Sequence, residues 1–222
     1  MVWVGARYRF ASTFSYRIPY FSSSYALSAP APSPSTIKLA LVSATINRTG
    51  NVNKGKELFN NICNAKVEVE LPETFAVFKA FMKRLKKKRQ CDGFERTFGI
   101  REYIIYNGDL GIRLEIDSNE NQVSEALKKI QYFGTSDSIC SYIEGLNETN
   151  PKHIVKSILQ NFNGDLKGVI FLLSDFSENI TFDDINPFSG KKLKKENLTL
   201  KPFLFPIYAW QKDKSCTVYK CS

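Results

Sequence analysis

Asn107-Gly108 joins two strand-like runs, Phe98 to Tyr106 and Leu110 to Ile116. Asparagine and glycine tolerate the positive φ angles of a tight hairpin turn, so the pair predicts an antiparallel hairpin. Leu110, Ile112, Leu114 and Ile116 recur at period two and mark the buried face of its second strand. A helix is expected next. Asn119 with Gln122 three residues on reads as a capping box, and Val123, Ala126, Leu127 and Ile130 form an apolar stripe. A last strand fits Ser138 to Ile143.

The residues before the hairpin supply the missing half of the pattern. Val2, Val4, Ala6, Tyr8 and Phe10 alternate with Arg7 and Arg9, which predicts a first strand. The Pro/Ser-rich stretch 18–35 is a loop ending in Ser33 as N-cap and Pro34 in the first turn of a helix. Ile37, Ala40, Leu41 and Ala44 are that helix's apolar positions. The order is β-α-β-β-α-β, so the expected fold class is α+β, a ferredoxin-like domain over residues 1–145 with an insertion at 47–97. Within the insertion, 66–71 alternates as a short strand, and Phe78, Phe81, Met82 and Leu85 have helical spacing, although their aromatic content also suits an extended chain. Residues 146–222 read as a smaller, mostly β lobe: a helix near 151–161, a buried strand Gly168 to Leu173, a lysine-rich loop at 191–195, and strands around 198–209 and 215–220.

Charge is uneven. Thirty-one Lys and Arg face 22 Asp and Glu, a net charge of +9, and the first acidic residue is Glu57. Such a balance fits either a polyanionic partner or plain solubility. The basic stretch 83–89 (KRLKKKR) allows a solvated face, a nuclear localisation signal or a phosphate-tracking surface; Phe94, Phe98, Tyr103 and Tyr106 beside it are candidates for base stacking. The longest strongly apolar run, 169–173, is far shorter than the roughly 20 residues that span a bilayer. The acid-free first 36 residues also read as a mitochondrial transit peptide, but the alternation from Val2 favours a strand. Five cysteines without a C-x-x-C pair fit a reducing compartment, with a Cys216–Cys221 bridge left open. The four N-x-[ST] sequons lack an apolar signal segment before them.

Three weaker motifs point to chemistry. Gly50 to Glu57 matches the G-x-x-x-x-G-K part of a P-loop, yet ends in a carboxylate where Mg²⁺ binding needs a hydroxyl. His153 is the single histidine, which excludes multi-histidine metal sites and makes histidine-based catalysis a poor candidate. Asp183-Asp184 has no matching ligands and reads as a solvated turn. No cofactor or metal is expected.

Local stretches carry a family resemblance. Residues 31–41 (APSPSTIKLAL) resemble the "PPPSTLIGAL"-like loop-to-helix segment of the fifth Cas family of CRISPR-associated RAMP proteins. Residues 98–106 (FGIREYIIY) resemble that family's "REY" strand, and Gly134-Thr-Ser-Asp-Ser138 its "GxSxS" turn. The matches span residues 2–140. Lys38 departs from the pattern, standing where Ile or Leu followed by Gly is usual, so helix packing there is expected to differ.

The resemblance implies a non-catalytic subunit that holds the 5′ handle of the guide RNA and caps a type I effector complex. Its implied partners are guide RNA, a backbone RAMP subunit, the large subunit and, through the complex, target DNA. It implies no membrane and the cytoplasm of a prokaryote, an archaeal type I-D or I-A-like variant. The RNA contacts it points to are Arg17, Ser33, Ser35, Thr36 and Lys38; the insertion residues Lys83, Arg84, Lys86, Lys87, Lys88 and Arg89, closing as a thumb; and Arg96, Arg101, Gly134 and Ser136. Turns 33–36 and 134–138 would offer backbone N–H groups to phosphates. Other readings remain open: a metal-independent endoribonuclease using His153 or a nearby Tyr, a structural docking subunit, and an organellar RNA-binding protein.

Overall fold

Val2–Phe10 forms strand β1, as its alternation requires: Ala6 and Tyr8 are fully buried, while Arg7 and Arg9 on the other face reach Glu70 and Asp109. A strand hydrogen-bonded on both sides is not a presequence helix. The computed structural model describes residues 1–22, 25–89, 91–146, 151–159, 167–191 and 194–222.

Helix α1 (Pro34–Thr49) starts as expected, with the Ser33 hydroxyl accepting from the Thr36 N–H, and stops at Gly50 in a left-handed turn. A second helix, α2 (Val52–Ile62), occupies the P-loop-like segment. Its Gly55 lies so close to α1 that a Cβ there would collide with Ile46. Lys54 pairs with Glu57 one turn on. The segment is thus helix–helix packing, with no phosphate-cradling loop.

Strand β3 (Lys66–Glu70) is followed by two long strands, β4 (Thr74–Lys87) and β5 (Phe94–Asn107), then β6 (Leu110–Ile116), helix α3 (Glu120–Leu127) and β7 (Cys140–Leu146). A seven-stranded sheet runs β7-β1-β6-β3 and continues through β8 (Ile154–Ser157), β10 (Leu198–Phe205) and β9 (Val169–Phe176). A five-stranded sheet runs β11-β12-β4-β5-β2, where β2 is Tyr25–Ala26, β11 Ile207–Lys212 and β12 Cys216–Cys221. A short helix α4 (Phe182–Ile185) carries Asp183-Asp184, with Asp184 closing a capping box on Thr181. Every pairing in the larger sheet is antiparallel.

Several expectations change. The Asn107-Gly108 turn is real, with Gly108 at φ 129°, but β5 and β6 do not pair: β6 lies between β1 and β3, while β5 pairs with β4. The turn moves the chain from one sheet to the other. Gly108 sits against Pro72, where β3 gives way to β4, so both crossings lie side by side. The segment 78–85 is strand, because fourteen register pairs with β5 override its helical spacing. Asn119 has left-handed φ and makes no side-chain cap, so the expected capping box is absent. The 151–161 helix is replaced by β8, preceded by His153 at φ 50°; residues 160 and 161 of that span lie outside the described residues. β9 is an edge strand, buried only from Leu173 on.

The strands after residue 146 do not form a separate layer. They extend both sheets, and Val155, Leu173, Phe203 and Phe205 share one hydrophobic cluster with Tyr8, Leu41 and Ile112. α1 packs on α2, α3 and β9, and the Tyr8 hydroxyl donates to Leu127 O at 2.7 Å to fix α3 on β1. All five cysteines are free, and Cys216 and Cys221 stand at opposite ends of β12, roughly 16 Å apart, beyond disulfide reach.

Candidate nucleic-acid interface

The β4–β5 hairpin pairs continuously from Thr74–Asn107 to Lys87–Phe94, strands of roughly 45 Å. Its base is core: Phe75 stacks on Tyr219, and Ile104 is fully buried. Among the described residues, nothing covers the aromatic face of its outer half. Phe81 and Leu85 are 67% and 68% exposed, and Phe94 and Phe98 are similarly open. Alternation sorts the outer side chains into two faces. One carries Phe81, Phe98, Leu85 and Phe94 with Lys83, Lys87 and Arg96 between them. The other carries Arg84, Lys86 and Arg101. Phe81 and Phe98 stack with ring centroids 5.6 Å apart. Exposed rings interleaved with cations offer stacking for bases and neutralisation for phosphates. Lys88 and Arg89 lie exposed toward the tip.

The turn 134–138 docks on the second face. Asp137 Oδ2 lies 3.2 Å from Arg84 and 3.7 Å from Arg101, all at least partly exposed. Gly134 has φ 76°, and a Cβ there would rest 3.7 Å from Thr36 and 3.8 Å from Tyr16. The Ser15 N–H donates to Ser138 Oγ, pinning the turn's end, while Ser136 is exposed. Arg17 is exposed in the loop that bridges to Ser28. The hairpin arginines, the turn and the start of α1 therefore form one continuous strip.

Three of the expected contacts are elsewhere. Ser33 and Ser35 are buried, hydrogen-bonded to each other and to Ser174 on β9 at 2.8–3.1 Å. Lys38 is fully buried. Its Nζ donates to Asp175 at 2.8 Å and to Cys63 O at 2.8 Å, and Lys201 reaches the other Asp175 oxygen at 2.9 Å. Burial holds the Lys38 ammonium below its ordinary pKa despite Asp175. These side chains fasten α1 to β9 and are out of reach of a ligand. Sequence reading also missed Asp137 as the partner of both arginines. Its place in the quoted turn, opposite a basic hairpin, was the available signal.

The fold is a mixed α/β architecture dominated by antiparallel sheets, the class found in a crystal structure of a CRISPR protein from Archaeoglobus fulgidus. That chain is 12% identical, with a TM-score of 0.53 over all of this chain and 92% of the other. A chain of the type III-B Cmr-β complex bound to cognate target RNA and AMPPnP gives a TM-score of 0.45 at 11% identity, over 97% and 86% of the two chains, too low to decide topology. No family model matches. In sequence, the chain is 38% identical over 200 residues to the CRISPR-associated protein Cas5 of Archaeoglobus fulgidus, covering 86% of this chain and 87% of that one. The chain belongs to the Cas5 family of CRISPR-associated proteins. Among the described residues, no helix is long and apolar enough to cross a membrane.

Proposed function

We propose that this chain is a non-catalytic RNA-binding subunit of a type I CRISPR effector complex, holding the 5′ handle of the guide RNA. The observation that carries the reading is the outer half of the β4–β5 hairpin, with cations on both faces and, on one, aromatic rings that no described residue covers. RNA would run along the hairpin and over the turn 134–138, the hairpin closing on it as a thumb. Lys83, Arg84, Lys86 to Arg89, Arg96 and Arg101 would meet phosphates, with Arg17, Thr36, Gly134 and Ser136 along the path. The strand order β7-β1-β6-β3 supports a ferredoxin-like core, with β3 rather than β5 as its second strand and β4–β5 as the insertion. The backbone RAMP subunit and the large subunit are the proposed neighbours, and target DNA is met through the complex.

Salt dependence tests this directly. Each phosphate engaged on a single strand contributes about −0.7 to the slope of log K against log salt. Engagement of five cations gives a slope near −3.5 on that scale; a slope near zero contradicts the reading.

Asp137 gives a second test. Its carboxylate occupies the position between Arg84 and Arg101 that a phosphate would take, and exposed ion pairs of this kind hold weakly. Asp137→Asn is expected to raise RNA affinity several-fold and steepen the salt slope, read by fluorescence anisotropy. A fall in affinity would mean that Asp137 orients the arginines rather than competing for them.

The endoribonuclease reading calls on His153 or a nearby tyrosine. His153 lines a separate pocket with Lys156 and Lys167, in which no tyrosine takes part among the described residues. His153→Ala is expected to leave the bound RNA's ends unchanged.

A further inference from the structure

A groove between α1 and residues 129–134 adjoins the strip and shares Thr36 and Gly134 with it, while the rest of its lining has no role in the path described above. We propose that it seats one unstacked nucleotide of the bound RNA, its base against Tyr132 and its phosphate between Arg48 and Lys129. The inference rests on the RNA-binding reading and adds a subsite to it.

The first wall is the side of α1 bearing Thr36, Leu39, Ala40, Ser43, Ala44 and Asn47, mostly small side chains beside a trough of about 660 Å³. That lies within the roughly 300–1,000 Å³ of small-molecule sites. The opposite wall runs from Lys129 to Tyr132 and ends at Gly134, the glycine that also opens the 134–138 turn, so a strand crossing the turn passes the groove's mouth. Chemistry favours a nucleotide. Asn47 and Gln131 each present an amide with donors and an acceptor, the pattern that reads a base edge. Tyr132 is 45% exposed, and its backbone is held by a bridge to Ile139, so a ring face is available without ordering a loose segment. Arg48 and Lys129 are exposed and make no ion pair with a described residue. Glu125 feels both, but Lys128 holds it at 2.8 Å and keeps it below the usual carboxylate range. An apolar side chain from a protein partner would leave both cations and both amides unused.

The test measures affinity of the full chain for guide-type RNA, with single abasic substitutions scanned along the handle. Tyr132→Ala is expected to weaken binding about tenfold, as loss of one base–aromatic stack does, and Tyr132→Phe to keep it. One abasic position should reproduce the loss in the unaltered chain and cost nothing further in Tyr132→Ala. Lys129→Glu should weaken binding and flatten the salt slope. If these variants bind as the unaltered chain does while hairpin variants lose RNA, the groove inference is overturned and the RNA-binding reading stands. If they keep RNA but fail to assemble with the other subunits, the groove docks protein and the inference is overturned. If the unaltered chain and its assembled complex hold no RNA, both fall.

Discussion

Asp175→Asn is expected to lower the stability of the chain by about 3–5 kcal/mol, the usual cost of stranding one member of a buried ion pair. Lys38 has no access to water, and the neutral amide would leave its ammonium with dipoles alone. Lys38→Met should cost less, because methionine fills the space of the lysine stem and Asp175 keeps Lys201 at 2.9 Å. Stability should also depend on pH with a definite sign. The pKa of Lys38 is lowered in the folded chain, chiefly by burial. In the window between that lowered value and the ordinary lysine pKa near about 10.4, the unfolded chain binds more protons. Stability from this group therefore rises as pH rises through that window. In Asp175→Asn the raising effect of the carboxylate is gone, so the window extends to lower pH. Urea unfolding of the three proteins at several alkaline pH values checks this; equal stability of Asp175→Asn and the unaltered chain would contradict it.

The largest functional effect is expected on the hairpin. Reversing Lys83, Arg84, Lys86 and Lys87 to glutamate removes four cations and adds four anions on exposed positions. RNA affinity should fall at least about a hundredfold near physiological salt, since four lost phosphate contacts alone flatten the salt slope by roughly 2.8. Folding should be unaffected, as none of the four is buried and, among the described residues, only Arg84 forms an ion pair, with Asp137. Phe81→Ala with Phe98→Ala separates stacking from charge: it should weaken binding while leaving the salt slope unchanged. Unchanged RNA affinity in the charge-reversed chain would remove the hairpin from the interface.

What could be read beforehand follows from how local each signal is. β1, α1, α3 and β6 were legible because their periodicity lies within a few residues, as at Leu110 to Ile116, and for α1 the Ser33-Pro34 start adds to it. The partner of β5 was not legible. A turn specifies a change of direction, and only the competing fourteen-pair ladder with β4 decides which strand β5 joins. Helix α2 was obscured by Gly55, which reads as a breaker until its contact with Ile46 is seen. Lys38 is a different case. It lies four residues after Pro34 and three before Leu41, on the buried stripe of α1, so its position already argued for burial. Only Asp175, 137 residues away, explains how a lysine is tolerated there. The hairpin's cations were legible as a run, but their division onto two faces needed the strand.

The central claim is tested most directly by the RNA the protein keeps. The chain would be co-expressed with its partner subunits and a repeat–spacer transcript, purified at moderate salt, and the bound RNA sequenced. Guide RNA enriched for its repeat-derived 5′ end, and lost in the hairpin charge-reversal variant, is the expected result. RNA without that end, or a complex indifferent to the hairpin's charge, would contradict it.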